Sequence, residues 1–598
     1  MSGLAGWIDF DRDMNRERGR FATMLATLRH RGPKGERTAC RGHAVLGARL
    51  SACATRNGTS EAAPRNDNVV ALLDGHIANV RTLAEELQAR SEAPEDLLIA
   101  AYGRWGIDFV AHLAGGFAVA LWDETSGTLL LARDRFGVKP LYWFAYPNGL
   151  IFGSEPKAIM ANELFVRRLD LSKLPILLQP RLTQSGETPL IGLREVPPAH
   201  CLTFRASQVS ERRYWSLESA PHRDDFATTA ARVRTLLGES VVGETAGETD
   251  LGAMLSGGID SSSVVALAAQ QLMGPVRTYC VRVDDGYFVA SDLRPNIDAP
   301  FALKAAAFFG TQHREIAVTT RSLLDAAPSA RHARDLPGWG QFDASMHVLF
   351  GEMAREGDIA LTGEAADEFL GGYPYFFRPD IIAGTGFPWL GDGPRLSDQL
   401  AAEVRRHVDP REDECARYEA LLASVPRLPG EDPENARMRE IFWFGMAGPL
   451  AMVLDRKDRM SAAWGLDVRI PFCDHRLVEY LWNVPWRMKC QGGVKGVLKA
   501  AMTDLLPSST LNRRKSAYPH AQSPDHDRSL IAEVRRIAAD TNDPVRDFFA
   551  PGALEGLIVT LESGAPGRML PGGASPAYML IHVVELSCWL GEYRVSIG

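Results

Sequence analysis

The 598-residue chain lacks paired cysteines, long apolar runs and blocks of like charge. Its eight cysteines are scattered without a CxxC pair, which argues against a zinc or disulfide framework and predicts a reducing, cytoplasmic location. No apolar run approaches the roughly 18 residues of a membrane helix, and the polar start is not typical of a signal peptide. The net charge of −8 is modest, and no basic stripe indicates a nucleic-acid partner. We therefore expect neither a membrane nor a nucleic acid among its partners.

The length predicts about two to four domains, because a single core rarely serves so long a chain. Residues 1–215 contain short apolar runs such as "AVLGARLSA", "VVALLDGHI" and "FAVALWD", separated by Gly, Asp and Asn. Amphipathic helical patterns, "VRTLAEELQAR" and "EDLLIAAYGRWG", lie between these runs. The pattern predicts an antiparallel α+β domain that ends at a linker near residues 216–226.

The pattern changes from residue 227 onward. A helical segment is followed by "LGAMLSGGIDSSSVVALAAQQL", which predicts a strand, a glycine-rich turn and a helix. "VRTYCVRV" and "DIALTGEAADEFLGG" predict two more strands that end in loops. Strands that alternate with helices indicate a parallel, doubly wound α/β sheet, so we predict a second domain over 227–598. Beyond about residue 400 the periodic segments are helical, and the Pro- and Gly-rich stretch 541–575 is predicted to be loop.

The most informative stretch is "LSGGIDSSSV" at 255–264. An apolar strand ends there, two glycines turn the chain, and Asp and Ser residues open a helix. Backbone N–H groups freed by the glycines, together with the helix N-terminus, form a cradle for an anion such as pyrophosphate. The Walker A ending Gly-Lys-Ser/Thr is missing. A glycine-rich turn with capping serines is the structural alternative.

S-G-G-x-D-S resembles the PP-loop of ATP pyrophosphatases. The chain also contains, in order, "RHRGPKGE", "ARDRFGVKPLYW", "GSEPKAI", "LTGEAADEFLGGYPYF", "DRKDRMSAAWGLDVRIPFCDHRLVEY" and "NRRKSAYP". This set over residues 2–520 resembles the glutamine-hydrolysing (class B) asparagine synthetases. The resemblance implies an α+β N-terminal nucleophile (glutaminase-like) domain. It further implies an α/β PP-loop ATP pyrophosphatase synthetase domain with a helical C-terminal part.

The resemblance also implies roles for individual residues of the synthetase half, with ATP and Mg²⁺ as cofactors. Glu364 matches the catalytic carboxylate that accepts a proton from the attacking nitrogen, and Lys515 matches a lysine that neutralises charge on the leaving phosphates. Asp260 and Asp367 are the candidate metal ligands, since Mg²⁺ prefers oxygen donors. The ATP and pyrophosphate site comprises Leu255, Ser256, Gly257, Gly258, Asp260, Ser261, Ser262, Val281 and Gly363. One position departs from the family pattern: Ala365 replaces the usual Gly beside Glu364, which puts the identity of the acyl substrate in doubt.

The glutaminase half departs further from the family pattern. Ser2 replaces the nucleophilic Cys, and a serine hydroxyl needs stronger activation than a thiol. Asp74 replaces the Asn that donates to the oxyanion, although a carboxylate offers only acceptors. The amine-binding carboxylates are replaced by His76 and, by alignment, Ala93. The degenerate glutaminase site therefore comprises Ser2, Arg49, Asp74, Gly75, His76 and Ala93, and we expect this domain to be an inactive scaffold.

These observations predict an ATP-dependent amide-bond-forming ligase of natural-product biosynthesis. The enzyme adenylates a small-molecule carboxylate and transfers the acyl group to ammonia or an amine without hydrolysing glutamine. A glutamine-dependent asparagine synthetase, a lasso-peptide cyclase-like isopeptide ligase and a non-catalytic nucleotide or amino-acid-binding protein are the alternatives. A β-lactam synthetase ranks lower. That branch of the family uses a Tyr–Glu pair in which the tyrosine precedes the acid of the acyl site by some tens of residues, whereas this chain has no tyrosine between Tyr287 and Tyr373 and has Glu364 instead. Family members often dimerise, so a homodimer is a further expectation.

Overall fold

The computed structural model describes residues 2–51, 68–248, 250–272, 274–291, 294–391, 393–563 and 576–598. Two antiparallel sheets form the amino-terminal half. Its strands in chain order are β1 (Gly3–Asp9), β2 (Gly35–Arg41), β3 (Ala44–Leu50), β4 (Val69–Gly75), β5 (Phe117–Asp123), β6 (Thr128–Arg133), β7 (Tyr142–Tyr146), β8 (Gly149–Gly153), β9 (Arg168–Leu169), β10 (Arg194–Glu195), β11 (His200–Arg205) and β12 (Gln208–Arg213). One sheet has the order β10-β7-β8-β1-β3-β2 and the other β12-β11-β6-β5-β4, as the predicted α+β domain requires.

The two sheets face each other across a shared core that contains Leu4, Leu46, Trp122 and Phe152. The outer faces are covered as well, so strands such as β4 are apolar along most of their length instead of alternating. The helices of this half are α1 (Arg18–Ala26), α2 (Val80–Leu87), α3 (Pro94–Trp105), α4 (Pro156–Met160) and α5 (Leu174–Leu178). The two helical patterns predicted in this half correspond to α2 and α3.

The second half contains a parallel sheet with the order β15-β14-β13-β16-β17. Its strands are β13 (Gly252–Met254), β14 (Arg277–Val283), β15 (Gln312–Val318), β16 (Ile359–Leu361) and β17 (Asp467–Arg469). The parallel α/β prediction is confirmed, but the sequence pattern missed β15 and β17. β15 begins with four polar residues, and β17 has three residues and charged ends, so neither shows the apolar run of a central strand. A last short strand, β18 (Ser596–Ile597), pairs with β9 of the amino-terminal half.

The remaining helices surround this sheet and extend to the carboxyl terminus. They are α6 (Phe226–Thr245), α7 (Ile259–Gln271), α8 (Ala299–Phe309), α9 (Thr320–Arg334), α10 (Gln341–Ala354), α11 (Ala366–Leu370), α12 (Pro379–Ile382), α13 (Ala402–Arg405), α14 (Pro410–Ala423), α15 (Pro433–Gly445), α16 (Ala451–Ala462), α17 (His475–Asn483), α18 (Trp486–Lys489), α19 (Gly496–Ala501), α20 (Ser508–Leu511), α21 (Pro524–Ala539), α22 (Pro544–Phe548), α23 (Ala553–Glu562) and α24 (Pro576–Glu592). The described helices include none that is both long and apolar enough to cross a membrane.

The prediction of loop over 541–575 was wrong where α22 and α23 form, and residues 564–575 lie outside the described residues. Asp543 caps α22 by accepting a hydrogen bond from the backbone N–H of Val545, and Pro544 occupies the first turn. A proline there starts a helix instead of breaking it. These helices pack with α24 against the first amino-terminal sheet, so the two halves share one core.

Candidate active site

The predicted pyrophosphate loop connects β13 to α7 at the carboxyl end of the parallel sheet. Gly257 has φ +73°, and a Cβ atom there would lie 2.3 Å from the backbone of Phe301. A Cβ atom on Gly363, after β16, would lie 2.5 Å from the backbone nitrogen of Ser261. Two loops therefore approach each other more closely than any side chain would allow. The backbone N–H of Ser256 donates to the Ser261 hydroxyl over 3.1 Å, which holds the turn closed on itself.

A cavity of about 760 Å³ opens beside this loop. The structure brings most of the predicted synthetase residues to its wall. These are Leu255, Ser256, Asp260, Ser261, Val281, Gly363, Glu364, Asp367 and Lys515. Of the other predicted residues, Gly257 and Gly258 shape the turn, and the Ser262 side chain is fully buried in α7. The cavity has room for a nucleotide and a small acid together, since small-molecule sites span roughly 300–1,000 Å³.

Two lysines and two carboxylates converge at one end of this cavity. Lys495 Nζ lies 2.5 Å from Asp260 Oδ1 and 2.6 Å from Asp367 Oδ1. Lys515 Nζ pairs with Asp367 and lies 3.8 Å from Asp260 Oδ2. Sequence reasoning missed Lys495; its one signal is the glycine-rich stretch "QGGVKG", which lets the chain enter α19 with Lys495 at φ +55°.

Asp367 and Lys515 of this cluster favour their ionised forms. Burial opposes ionisation of Asp367, but the nearby Lys495 and Lys515 outweigh it and hold the pKa of this carboxyl well below its usual range. Burial likewise opposes the charge of Lys515, and the carboxylates of Asp367 and Asp260 raise the pKa of its ammonium group. The cluster places two ammonium groups against two carboxylates. Such a set suits a phosphate chain together with a divalent cation.

Glu364 lies between β16 and α11, next to the two loops that approach each other. Its Oε2 atom is buried without a hydrogen-bond partner in the described residues. Burial raises the pKa of the Glu364 carboxyl, while Arg456 and Lys457 act in the opposite direction. A carboxylate with a raised pKa and a free lone pair facing a cavity is suited to accept a proton.

Ala365, the residue that departs from the family pattern, has φ +72° and is buried at the start of α11. The left-handed region favours glycine because a Cβ atom there contacts the following carbonyl oxygen. The backbone therefore keeps the shape that a glycine would take at this position. The methyl group makes this left-handed conformation less favourable than it is for glycine, and the residue that adopts it directly follows Glu364.

A second carboxylate beside the cavity was not predicted. The Tyr373 hydroxyl donates to Glu368 Oε1 over 2.5 Å, and Glu368 is 1% exposed. Burial and the neighbouring charge of Asp367 raise the pKa of Glu368 to about 7. Both residues line the cavity. Glu364 reaches the cavity wall from the loop before α11, and Glu368 reaches it from α11 itself.

The predicted glutaminase site is occupied by ion pairs and hydrogen bonds. The backbone N–H of Ser2 donates to Asp74 Oδ1 over 2.8 Å. Asp74 Oδ2 accepts from Arg31 over 2.9 Å and from the Ser154 hydroxyl over 3.2 Å. Asp74 is fully buried, and its two oxygens already accept three hydrogen bonds. It therefore supplies no donor to an oxyanion.

The other predicted residues of this pocket have local partners. Arg49 pairs with Glu36, a neighbour across the β2–β3 strand pair. His76 Nε2 lies 2.7 Å from Glu244 of α6, which belongs to the second half. Gly75 ends β4, and Ala93 precedes α3 with extended backbone. In the described residues, Arg49 and His76 therefore face acids of the protein itself.

A buried network of charges joins the two halves beneath Ser2. Arg31 Nη1 donates to Glu155 over 2.8 Å and to Asp458 of α16 over 2.9 Å. Lys139 Nζ lies 2.9 Å from Asp467 and 3.4 Å from Asp458. α16 also carries Arg456 and Lys457, whose charges act on Glu364. One helix thus borders both the predicted glutaminase site and the synthetase cavity.

The comparisons with known proteins agree with this geometry. The asparagine synthase family matches residues 232–591, and the glutamine amidotransferase domain family matches residues 1–215. The protein named asparagine synthetase [glutamine-hydrolyzing] 3 of Bacillus subtilis is 33% identical and covers 100% of both chains. Amidase chry2 of Gibberella zeae is 24% identical over 83% of this chain and 84% of its own.

The solved glutamine phosphoribosylpyrophosphate amidotransferase of Bacillus subtilis is only distantly similar. It covers 52% of this chain and 65% of its own at 14% identity, with a TM-score of 0.26 that carries no argument. The two family matches and the full-length relative, by contrast, account for both halves of the chain. This chain belongs to the asparagine synthase family, whose members are ATP-dependent amide-forming ligases.

Proposed function

We propose that this ligase obtains its nitrogen without hydrolysing glutamine, from free ammonia or from an amine, in natural-product biosynthesis. We assign residues 1–215 to an inactive amidotransferase-like domain and residues 227–598 to the synthetase domain. The single observation that carries the proposal is Asp74, a buried carboxylate saturated by Ser2, Arg31 and Ser154 where an oxyanion donor is required. An enzyme that uses free ammonia or an amine substrate does not require ammonia from a glutaminase domain.

In the first step the substrate carboxylate attacks the α-phosphorus of ATP, and the bond to the β-phosphate oxygen breaks. The acyl-adenylate forms and pyrophosphate leaves toward the N-terminus of α7. Lys495 and Lys515 lie where they neutralise the charge that develops on this leaving group. Asp260 and Asp367 would hold Mg²⁺, which supplies charge neutralisation to the phosphates when bound. Their oxygens converge from the first turns of α7 and α11, which fits a hard cation beside a triphosphate.

In the second step the amine nitrogen attacks the acyl carbon, and the bond to the AMP oxygen breaks. Glu364 accepts the proton that the nitrogen loses, since its buried Oε2 has no hydrogen-bond partner in the described residues. Tyr373 and Glu368 line the same wall and limit the shape of the acyl pocket. AMP and the amide are then released.

The test measures ATP-dependent AMP and pyrophosphate formation with a panel of carboxylates, using ammonium, an external amine and glutamine as separate nitrogen sources. We expect product with ammonium or an amine, and no glutamate release with glutamine. AMP formation that requires glutamine and releases glutamate in equal amount would overturn the proposal.

The second candidate is a glutamine-dependent asparagine synthetase. It is favoured by the Bacillus subtilis relative, whose name includes glutamine hydrolysis and which matches along the full chain. That reading requires glutamate release by the wild-type protein with aspartate as acceptor. Cyclisation of a peptide would indicate the isopeptide ligase instead, and the absence of pyrophosphate with every acid would indicate a binding protein.

A further inference from the structure

The amino-terminal half contributes an arginine to the wall of the synthetase cavity. Arg181 belongs to a 3₁₀ turn, Pro180–Leu182, that follows α5. Its side chain lines the same cavity as Glu364 and Asp260. No residue of the predicted synthetase site comes from this half, so the sequence pattern offered no reason to place Arg181 there.

Arg181 is held in position by residues of the second half. Its guanidinium carbon lies 5.4 Å from the centroid of the Trp339 ring. A Cβ atom on Gly448 would lie 2.4 Å from the Arg181 carbonyl oxygen, so the two backbones are in direct contact. Gly448 belongs to the π-helical segment Met446–Leu450, which continues into α16. The position of the arginine is therefore fixed by packing on both its backbone and its side chain.

Arg181 and Arg456 are two cations without anionic partners. In the part of the chain that the structure describes, the guanidinium of neither makes a hydrogen bond or an ion pair, and the Nε atom of each is buried. Arg456 packs over the Tyr518 ring at 5.6 Å. Arg456 is buried and Arg181 is half-buried, whereas Arg31, which is fully buried, contacts three carboxylates. A guanidinium whose Nε is buried and that no protein acid compensates indicates an anionic ligand, because burying an unpaired charge is costly.

The two arginines line the cavity but take no part in the ion pairs of the lysine–aspartate cluster. The charge of Arg181 acts on the phenols of Tyr375 and Tyr578, and that of Arg456 acts on Glu364. Lys495 and Lys515 are instead engaged by Asp260 and Asp367. The cavity wall therefore holds the lysine–aspartate cluster and, outside its ion pairs, two guanidinium groups, of which that of Arg456 acts on Glu364.

We propose that Arg181, together with Arg456, binds a second anionic group on the acyl substrate, so that the amino-terminal half sets substrate specificity. The proposal rests on the proposed function, in which the acid binds beside Glu364. A guanidinium fork matches a carboxylate in two parallel hydrogen bonds, which fixes orientation as well as charge. The role also explains why a half without glutaminase chemistry keeps its packing against the synthetase half.

The test compares paired acids that differ only by one carboxylate: aspartate with β-alanine, and succinate with propionate. Binding is measured by calorimetry without ATP, so the result does not depend on turnover. We expect the wild-type protein to bind the diacid of at least one pair more than tenfold tighter. Arg181→Gln should weaken diacid binding roughly 10- to 100-fold and leave the monoacid unchanged, as expected for losing a hydrogen bond to a charged group.

Two further variants separate the binding role of Arg181 from an effect of its substitution on folding. Arg181→Lys retains the charge without the fork, so it should recover part of the diacid preference even if the glutamine variant folds poorly. Arg194→Gln is the matched control, because Arg194 also lies over a tryptophan ring of the amino-terminal half, at 5.8 Å from Trp143, but outside the cavity. It should bind both acids as the wild type does.

In turnover assays Arg181→Gln should raise KM for the diacid and leave kcat within about threefold, which a general loss of structure would not produce. Equal affinity for both members of every pair in the wild type, or an unchanged preference in Arg181→Gln, overturns this inference. A failure of the proposed function would give a different result. Turnover would then require glutamine, or no acid would yield AMP, while calorimetry would still show tighter binding of the diacid than of the monoacid.

Discussion

The guanidinium of Arg31 donates a hydrogen bond to the carboxylate of Asp74 across 2.9 Å, and neither side chain is exposed to solvent. The same guanidinium donates through Nε to the Ser2 carbonyl oxygen over 3.1 Å. The residue at the nucleophile position is therefore tied at both its N–H and its carbonyl to a buried ion pair. An oxyanion formed beside this pair would meet the negative charge of Asp74 instead of a donor.

Restoring the nucleophile alone should not restore glutaminase activity. We expect Ser2→Cys to release no more glutamate from glutamine than the wild type, because Asp74 and His76 remain. Glutamate is measured by an enzyme-coupled assay, and the protein mass confirms removal of the initiator methionine. Combining Ser2→Cys with Asp74→Asn is the matched variant, since the amide adds the missing donor. Recovery of glutamate release by Ser2→Cys alone would contradict the assignment of an inactive domain.

Removing Arg31 should destabilise the whole chain. Arg31→Met leaves Asp74, Glu155 and Asp458 with less compensation in a buried site, and we expect a loss of about 3–5 kcal/mol in the free energy of unfolding. The control is Arg20→Met, which removes an exposed ion pair with Glu163 and should cost about 0–1 kcal/mol. Urea denaturation followed by circular dichroism measures both. Equal costs would show that the buried network contributes no more than a surface pair.

Glu364 and Lys515 should affect different steps of the reaction. Glu364→Gln removes the proton acceptor, so amide formation should fall roughly 10²- to 10⁴-fold while ATP–pyrophosphate exchange stays within a few-fold. Lys515→Met removes charge from the leaving-group end, so it should reduce exchange and amide formation together. Lys304→Met on the exposed side of α8 is the charge control and should change neither rate. Loss of exchange in Glu364→Gln would remove Glu364 from the second step.

Replacing Ala365 with glycine should stabilise the protein. Ala365 has φ +72°, and a left-handed conformation costs an alanine roughly 1–2 kcal/mol. Because glycine also loses more backbone entropy on folding, we expect a net gain of up to about 1 kcal/mol. Ala366→Gly, one residue later in α11, should instead cost about 0.5–1 kcal/mol. Thermal unfolding of the two variants measures the contrast, and a loss in both would contradict the argument.

Glu368 should make stability depend on pH between about 4.5 and 7. Its pKa is raised from 4.5 to about 7 by burial and by the charge of Asp367, while the Tyr373 hydrogen bond acts in the opposite direction. Below pH 4.5 both folded and unfolded chains carry the proton, and nothing is lost. As pH rises toward 7 the unfolded chain ionises first, so the folded state loses stability, by roughly 3 kcal/mol in total.

The variant Glu368→Gln does not titrate, so it isolates this contribution. The difference in free energy of unfolding, wild type minus variant, should fall as pH rises from about 4.5 to 7 and stay constant above. Urea titrations at several pH values measure it. A difference that is flat with pH, or that rises, would show that Glu368 is ionised in the folded protein.

The sequence by itself determined the elements and the loop chemistry. Strand, glycine-rich turn and helix at 252–271 follow from local sterics, and so do the short paired strands of the first half. The sequence also indicates that position 74 carries an acceptor and no donor, because an ionised carboxylate only accepts hydrogen bonds. Local signals failed where a strand is short or polar, as in β15 and β17, since neighbouring strands stabilise it.

Only the tertiary structure decided which side chains meet across distant parts of the chain. Lys495 carries no recognisable motif, yet it bridges Asp260 and Asp367 because three loops end at one edge of the sheet. Arg181 reaches the synthetase cavity because a turn of the first half packs on the helical segment before α16. Charge compensation is a property of these long-range contacts. A sequence indicates that a residue is charged, whereas the fold determines whether a protein partner or a substrate neutralises it.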